Sequence, residues 1–321
     1  MAARYAAARA AQAVPLLLVV SVAAFGIMHL APGGPATMYA RGHQVSAEHL
    51  AAIRAALGLD QPWPVQYWRW LTSLLRGNWG YSIADGRPVL TVIVERVPAT
   101  LLLMATAAAV ALCLAVPVGI VAAVRRYSWL DHALTFASFT AWGMPVFWLA
   151  LMAQSFLAVD LRLFPVAGLH DAGRYDALDA LHHLALPALV LGVASFTGWS
   201  RYVRSSLLEV LQQPYMVTAL AKGSSPARAL GRHALPNALA PLVTLLGLEV
   251  PRFFAGAVVI ETIFAWPGMG RLFFDSIPVR DYPVAMGLLM ITAALITLGN
   301  LVADLLYALL DPRVRLGGTP G

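Results

Sequence analysis

Long apolar runs separated by short polar segments are the dominant pattern of this chain. Six runs reach the roughly 20 residues that a helix needs to cross a bilayer. They are Ala10–Leu30, Ala99–Val124, Ala133–Leu157, Leu186–Val203, Ala238–Ile260 and Val284–Leu310. The fourth run is the weakest, because it is short and contains Ser195, Thr197 and Gly198. The pattern predicts an all-α, polytopic membrane protein with six transmembrane helices in a single membrane domain, residues 1–321.

The segment between the first two runs, residues 31–98, is too long for a bare connector, and we expect it to be external and helical. Ser46–Leu57 begins at a capping serine and stops at Gly58, and Pro64–Arg76 stops at Gly77. Aromatic residues crowd the second helix and the turn after it: Trp63, Tyr67, Trp68, Trp70 and Trp79. This cluster is typical of a helix in the membrane interface, with an aromatic ligand site as the alternative.

Basic residues are concentrated in one set of alternate loops. They are Arg4, Arg9, Arg125, Arg126, Arg201, Arg204, Lys222, Arg228, Arg232, Arg313 and Arg315. Only Asp131, Glu209 and Asp311 oppose them there, whereas charges in the other loops roughly balance. The positive-inside rule therefore places both termini and the loop 201–237 in the cytoplasm. The first run is too long for a signal-peptide core and predicts an uncleaved membrane helix.

The composition agrees with a membrane protein. Hydrophobic residues make up 60% of the chain and charged residues 12%, and the mean hydropathy is +0.71. A soluble domain carries about 25% charged residues. The net charge of +6 does not indicate a nucleic-acid partner, since the basic residues flank apolar runs instead of forming one continuous face. Cys113 is the only cysteine, so the chain can form no internal disulfide.

The segment Tyr215–Asn237 is the only long, strongly basic helix-turn-helix pattern between apolar runs. Pro214 suits the first position of a helix, where a missing N–H costs nothing. Lys222 then falls in the last turn of that helix and Gly223 just beyond it, as a helix stop requires.

A second helix follows in the same segment. Ser225 can cap it, Pro226 can occupy its first position, and Pro236 is expected to stop or kink it. Arg228 and Arg232 are four residues apart and share a face, which suits an acidic or anionic partner. The alternative is a solvated basic loop that only sets topology.

Ionisable and polar residues inside apolar runs are candidates for lining a transport pathway, because burying an unpaired charge in a membrane costs several kcal/mol. Glu249 and Arg252 lie three apart in the fifth run and can pair. Asn300 and Asp304 share one face of the sixth run. Three hydroxyl residues of the fourth run either line a polar passage or bond helix carbonyls: Ser195, Thr197 and Ser200. Structural pairing is the alternative for Glu249 and Arg252.

Acidic and histidine residues cluster before the fourth run. They are His170, Asp171, Asp176, Asp179, His182 and His183. Asp179 and His183 are four apart and could share a metal ion on one helical face. No cysteine or second histidine pair at helical spacing accompanies them, so a structural or interfacial role is favoured and no metal site is predicted.

Motifs for catalysis are missing from the sequence. Lys222 is the only lysine and stands in no GxxxxGK[ST] phosphate loop, so the chain is not expected to hydrolyse ATP. The sequence also contains no G-x-S-x-G, HExxH or paired-cysteine motif. A non-catalytic protein without a cofactor of its own is predicted.

The basic segment resembles the EAA loop of ATP-binding-cassette (ABC) importer permeases. Gly223 is followed twelve residues later by Leu235-Pro236, the separation found in that loop. Val217-Thr218-Ala219 replaces the general Glu-Ala-Ala, so a salt bridge from that glutamate is not expected here. The string Thr218-Ala-Leu-Ala-Lys-Gly instead resembles the peptide/nickel branch of the family.

Further motifs extend this resemblance nearly end to end. They include Leu30–Pro35, Leu57–Pro62, Arg96–Thr100, Gly256–Gly270, Arg280–Pro283 and Leu309–Arg313. The longest of them, GAVVIETIFAWPGMG, is very unlikely to arise by chance. The chain is therefore similar to the dipeptide, oligopeptide and nickel permeases.

The resemblance implies one permease subunit of a bacterial inner-membrane importer, forming half of the translocation pathway. The implied partners are a second homologous permease, two cytoplasmic ATPases that bind ATP and Mg²⁺, and an extracytoplasmic substrate-binding protein. Residues 215–223 would be the coupling helix that docks into the ATPase. The implied coupling residues are Tyr215, Thr218, Ala219, Ala221, Lys222, Gly223, Arg228, Leu235 and Pro236.

The substrate stays open at this point between dipeptides, longer oligopeptides, glutathione-like peptides and chelated nickel. The competing class is an ATP-independent secondary transporter. Such a protein would need ionisable residues near the membrane midplane in both halves of the chain, whereas here they are confined to Glu249 and Arg252.

Overall fold

A computed structural model describes residues 2–30 and 58–310. The described part is helical and contains no β-strand, apart from one isolated bridge between Tyr81 and Pro88. The all-α prediction is confirmed. The predicted helix Ser46–Leu57 lies outside the described residues.

We number the helices in chain order. They are α1 (Ala2–Leu30), α2 (Trp63–Leu75), α3 (Val89–Val94), α4 (Val97–Val124), α5 (Trp129–Gly143), α6 (Val146–Ala153), α7 (Ala177–Leu211), α8 (Pro214–Ala221), α9 (Pro226–Ala229), α10 (Leu235–Leu239), α11 (Leu242–Ile263), α12 (Met269–Ser276) and α13 (Tyr282–Leu310). The described residues also include two π-helical turns: Gln154–Asp160 after α6 and Leu230–Ala234 between α9 and α10.

Four described helical stretches are long and apolar enough to cross a membrane. They are Ala11–Leu30, Val89–Val124, Ala177–Leu211 and Tyr282–Leu305. The pair Trp129–Gly143 and Val146–Asp160 makes a fifth if it is counted as one broken span. The predicted fifth run corresponds to α11, whose 22 residues include Glu249, Arg252 and Glu261. This helix is not among the stretches named above, so the number of six membrane spans stays a prediction.

The third predicted span is not one continuous helix. The run Ala133–Leu157 is bent by 101° between α5 and α6. Met144 at the break is extended, with ψ 127°, and Pro145 follows it. Proline disfavours the helical conformation of the preceding residue, so the bend has a local cause.

The fourth predicted span is much longer than its apolar run. Helix α7 covers 35 residues instead of Leu186–Val203, and it contains Pro187. Asp176 caps its start by accepting a hydrogen bond from the Asp179 amide at 2.7 Å. Polar residues at both ends extend the helix beyond the apolar core that the hydropathy pattern detects.

Helices α4 and α7 form the centre of the core through small residues. Ala107, Ala111 and Ala115 recur every four residues on α4 and are fully buried. A Cβ atom added to Gly119 would lie 2.7 Å from the Val203 side chain of α7. Membrane helices often approach closely along such stripes, where packing replaces the hydrophobic driving force.

The aromatic cluster of α2 divides between two surroundings. Tyr67 lies 5.5 Å from the Phe25 ring of α1, and its hydroxyl is 2.8 Å from Ser21 Oγ. Trp68, by contrast, is 64% exposed. The predicted interfacial position fits Trp68, whereas Tyr67 attaches α2 to the first membrane helix.

Candidate coupling surface and membrane polar sites

Helix α8 and the turn after it form a short, well-terminated unit. Pro214 occupies the first turn of the helix as predicted, and Lys222 is its C-cap. The Gly223 amide donates to the Leu220 carbonyl at 2.9 Å, and the Ser224 amide donates to the Ala219 carbonyl at 3.1 Å. These two bonds make a Schellman motif, which satisfies carbonyls that a helix end otherwise leaves open.

Gly223 ends α8 because of its backbone conformation. Its φ is +88°, a left-handed value that residues with a Cβ rarely adopt. Apart from the residues on either side of it, no described residue has an atom within 4 Å of the position that a Cβ would occupy. Glycine is therefore favoured at this position by the left-handed backbone conformation, and not by a lack of room for a side chain.

One side chain holds α8 against the membrane helices. Met216 is 3% exposed and packs in a small cluster with Ala123 of α4 and Leu207 of α7. Three other apolar side chains of the helix face outward: Tyr215, Val217 and Leu220. The helix thus has one buried anchor, and its exposed apolar side chains are distributed around the rest of its surface.

The second half of this segment differs from its prediction in one respect. Ser225 accepts a hydrogen bond from the Arg228 amide at 3.4 Å and caps α9, as expected. Of the two outcomes expected for Pro236, a stop or a kink, the stop is not observed, because helical turns continue through Leu230–Ala234 into α10. The wider π turn supplies the room that the proline ring needs next to the preceding turn.

Residues 214–236, which we call the coupling segment, are mostly accessible. Among the residues assigned to coupling, the exposed ones are Tyr215, Thr218, Ala221, Lys222, Gly223, Arg228 and Pro236. Ala219 and Leu235 are half-buried. Arg232 is exposed as well, so both arginines of α9 and the π turn are available to an anionic partner.

The candidate pathway residues lie in two places. Glu249 and Arg252 form the predicted pair at 3.6 Å, with their side chains 23% and 62% exposed. Asn300 and Asp304 are half-buried on α13, and Asn300 Oδ1 is buried without a hydrogen-bond partner in the described part of the chain. Their role in a pathway stays a prediction.

The hydroxyl residues of α7 mostly bond carbonyls. Thr197 Oγ1 donates to the Ser138 carbonyl of α5 at 3.0 Å, and Ser200 Oγ donates to the Thr197 carbonyl at 3.0 Å. Ser195 is half-buried. For Thr197 and Ser200, the structural interpretation fits better than a polar passage.

A buried glutamate that the sequence interpretation did not select organises the region after α11. Glu261 is fully buried and accepts hydrogen bonds from Thr100 Oγ1 at 2.7 Å and from the Arg271 amide at 3.1 Å. The Gly270 amide bonds it as well. Its carboxylate therefore lies at the N-terminus of α12, where free amides and the helix dipole favour an anion.

Asp281 has a similar role directly before α13, which begins at Tyr282. Its Oδ2 accepts hydrogen bonds from Ser82 Oγ at 2.5 Å and from the Ile83 and Ala84 amides at 3.0 and 3.1 Å. The loop that precedes α3 is thereby fixed to the start of α13. The sequence motif Arg280-Asp281-Tyr282-Pro283 pointed to this residue. Nothing in the sequence indicated that its partner is Ser82.

Another missed contact joins two membrane helices near the coupling segment. Arg204 of α7 donates to both carboxylate oxygens of Asp131 at the start of α5, at 3.0 and 2.9 Å. Both residues were counted only as loop charges. A bidentate arginine–carboxylate pair of this kind fixes geometry as well as charge.

The acidic and histidine residues before the fourth run do come together. Asp179 and His183 lie 3.7 Å apart, and His183 is 3.4 Å from Asp171. Asp176 instead caps α7, and His182 lies 3.0 Å from the Leu163 carbonyl.

Two family models match the chain. The model described as "Binding-protein-dependent transport system inner membrane component" matches residues 115–316, and its N-terminal counterpart matches residues 2–104. Together they cover most of the sequence.

Characterised relatives match over nearly their whole length. The oligopeptide transport system permease protein AppB of Bacillus subtilis (strain 168) is 43% identical, with 98% of this chain and 99% of the relative covered. The glutathione transport system permease protein GsiC of Salmonella paratyphi A is 39% identical (94% and 95% covered). The dipeptide transport system permease protein DppB of Escherichia coli (strain K12) is 37% identical (94% and 96% covered).

A solved structure with the same fold is the inward-facing MetNI methionine ABC transporter. The alignment has a TM-score of 0.59 and 17% identity, and it covers 70% of this chain and 98% of the matched chain. At that identity the likeness describes the fold of the membrane helices.

Proposed function

Because the chain belongs to the family of binding-protein-dependent transport system inner membrane components and is an ABC importer permease, we propose that it carries peptides. In this proposal it forms half of a translocation pathway with a second homologous permease. Two ATPases bind below it in the cytoplasm and a substrate-binding protein delivers cargo above it. ATP and Mg²⁺ are bound by the ATPases and not by this chain.

The observation that carries the coupling proposal is the set of exposed apolar side chains on α8. Tyr215, Val217 and Leu220 are 42%, 64% and 47% exposed, next to a fully buried Met216. A helix in a basic cytoplasmic loop gains nothing from exposing these side chains to water, whereas a groove on a partner protein would bury them. Helix α8 is therefore proposed to dock into the ATPase subunit.

The capped ends of α8 suit it to transmit force. The Schellman motif at Gly223 and the proline at position 214 fix both ends of the helix. Met216 joins it to the ends of α4 and α7, and Ser206 of α7 donates to the Ala238 carbonyl at 2.9 Å. Movement of a docked ATPase would then displace the two central membrane helices as a rigid-body step.

The orientation of the chain follows from its charges. The coupling segment carries Lys222, Arg228 and Arg232, all exposed, and no acidic residue opposes them between 214 and 236. Under the positive-inside rule this face is cytoplasmic. Both termini are proposed to lie on the same side, and residues 31–98 on the other.

Peptide cargo is proposed from the relatives, whose names specify oligopeptide, dipeptide and glutathione transport. Chelated nickel or another small solute is the alternative substrate. A binding protein contributes much of the selectivity in systems of this kind, so the cargo assay must include it.

Isolation of the complex tests the partners. The tagged chain is extracted from its native membrane in mild detergent, and the proteins that copurify are identified and quantified by mass spectrometry. We expect one sibling permease and two Walker-motif ATPases per chain. A chain that purifies alone and moves solute into liposomes without ATP would be a secondary transporter.

The docking surface and the cargo have their own tests. Leu220→Asp should remove the ATPases from the purified complex while the sibling permease remains. Tyr127→Asn is the matched control, because Tyr127 is 69% exposed in the loop between α4 and α5 and its φ of +64° tolerates asparagine. In proteoliposomes with the binding protein, ATP-dependent uptake of a labelled dipeptide supports peptide cargo. Uptake of a nickel chelate but not of the dipeptide would instead assign chelated nickel as the cargo.

A further inference from the structure

Three side chains converge where the loop 161–176 meets the first turns of α7. One ligand-type atom from each of Asp171, Asp179 and His183 lies within 4.8 Å of the others. We call these three residues the acid–histidine cluster. Asp171 is 60% exposed at its side chain, whereas the side chains of Asp179 and His183 are 3% and 2% exposed.

The imidazole of His183 points an unshared nitrogen into this cluster. Its Nδ1 lies 3.2 Å from the Gly168 carbonyl, which can only accept, so Nδ1 carries the hydrogen. In the neutral ring Nε2 is then an acceptor. Among the residues that the structure describes, this buried Nε2 has no hydrogen-bond partner, although it faces Asp171 Oδ1 at 3.4 Å and Asp179 Oδ1 at 3.7 Å.

The carboxylate of Asp179 is oriented in a complementary way. Its Oδ2 accepts from His170 Nδ1 at 3.1 Å and from the Asp171 amide at 3.0 Å. The other oxygen, Oδ1, remains directed at His183. Outer hydrogen bonds of this kind, on a histidine and on a carboxylate, are what orients the ligands of metal sites.

When the ring is neutral, two carboxylate oxygens and the Nε2 nitrogen face one another with only lone pairs between them. Such acceptors repel one another unless a proton or a metal cation lies between them. A tetrahedral ion with bonds of about 2.1 Å separates its ligand atoms by about 3.4 Å. The two distances from Nε2 are close to that separation.

We propose that the acid–histidine cluster binds a divalent transition-metal ion of the zinc class through Asp171, Asp179 and His183 Nε2. Imidazole and carboxylate ligands suit Zn²⁺, Co²⁺ and Ni²⁺. The exposed side of Asp171 provides the path of entry. This inference revises the prediction that the chain has no metal site.

An ion at this place would fasten the external loop to α7. The loop is already attached elsewhere, since the Gly168 amide donates to the Phe264 carbonyl at 2.8 Å, just after α11. The metal ligands are thus held by two membrane helices before the ion arrives. The site does not depend on the proposed function, since metal binding and peptide uptake are measured separately.

Metal binding is tested on the full-length chain in its detergent-solubilised complex. The complex is stripped with a chelator, titrated with Co²⁺, and followed by visible ligand-field absorption and by metal analysis after gel filtration. We expect one ion per chain, displaced by Zn²⁺. His183→Ala should abolish binding, and His170→Ala should weaken it roughly 10- to 100-fold by releasing the Asp179 carboxylate.

Two further variants make the result decisive. Asp171→Asn removes a ligand from an exposed position, so it should lose binding without loss of folding. His182→Ala is the matched control, since His182 neighbours the cluster but contacts the Leu163 carbonyl instead. The proposal is wrong if the wild-type complex binds no stoichiometric ion, or if His183→Ala binds the ion as well as wild type does.

Discussion

The coupling segment and the turn segment, which we define as residues 261–281, are both short stretches between membrane helices, but they are stabilised in opposite ways. The coupling segment relies on local caps and on one buried side chain, Met216, and leaves apolar surface exposed. The turn segment is closed by hydrogen bonds from distant parts of the chain to Glu261 and Asp281. Both segments expose apolar side chains, and in the turn segment these are Phe274, Ile277 and Val279. The difference between the two segments therefore lies in their hydrogen bonds, which are local in the coupling segment and long-range in the turn segment.

The comparison is tested most strongly by removing the buried carboxylate of Glu261 from the turn segment. Glu261→Ala leaves the Thr100 hydroxyl and the Arg271 amide without their acceptor and creates a cavity in a fully buried place. We expect a loss of about 3–5 kcal/mol in the free energy of unfolding. The measurement is thermal unfolding of the purified complex in detergent, together with the yield of folded protein.

Glu249→Ala is the control for this change, since Glu249 lies on the same helix but is partly exposed and pairs only at 3.6 Å. Equal melting temperatures for the two alanine variants would mean that the buried network does not stabilise the turn segment.

Glycines provide the second comparison, because the two segments need them for different reasons. A Cβ on Gly268 would overlap the Glu261 carboxylate, so Gly268→Ala should destabilise the fold by about 1–3 kcal/mol and lower the melting temperature. Gly268→Ser should destabilise the fold in the same way, because the overlap comes from the Cβ atom that alanine and serine share. A stable Gly268→Ala variant would show that the turn segment can shift to accommodate it.

At Gly223 a similar cost in stability should be accompanied by a larger effect on function. Valine there forces a β-branched residue to φ +88°, at a local cost of about 1–3 kcal/mol, with the helix end free to unwind. We expect normal membrane insertion, lost ATP-dependent uptake, and ATPase activity that no longer responds to substrate.

Gly223→Asn tests the physical reason, since asparagine tolerates the left-handed conformation and the site has open space. Its uptake should be close to that of wild type. Undiminished uptake by Gly223→Val would count heavily against a coupling role for α8.

The smallest effect on stability is expected within α11. Neutralising both members of the partly exposed pair, as Glu249→Gln with Arg252→Gln, should change the free energy of unfolding by less than about 1 kcal/mol. If the pair lines the pathway, uptake falls while the melting temperature stays constant. Undiminished uptake would remove both residues from the pathway.

Local signals explain what was predictable from the sequence. Pro214, Gly223 and Ser225 act within one helical turn, so their positions alone predicted the ends of α8 and the start of α9. The apolar runs likewise anticipated the long helices. In the external segment, Gly77 stopped α2 within a residue of the expected place, at φ +83°.

The remainder depended on contacts between residues far apart in the chain. Thr100 is 161 residues from Glu261, and Ser82 is 199 residues from Asp281. No spacing rule connects such pairs, so Glu261 appeared only as one letter of a motif. The bend at Pro145, by contrast, has a local cause in the sequence. It was missed because the third span was predicted from hydropathy alone, which does not register the effect of a proline.

Lys222 gives the coupling segment a practical consequence. It is the only lysine of the chain and is exposed at the C-cap of α8. Apart from the terminal amine, an amine-reactive dye or crosslinker therefore has a single place to attach, within one residue of Gly223. The native sequence thus carries a built-in reporter, and crosslinks from this position can map which surface lies opposite it at each stage of nucleotide turnover.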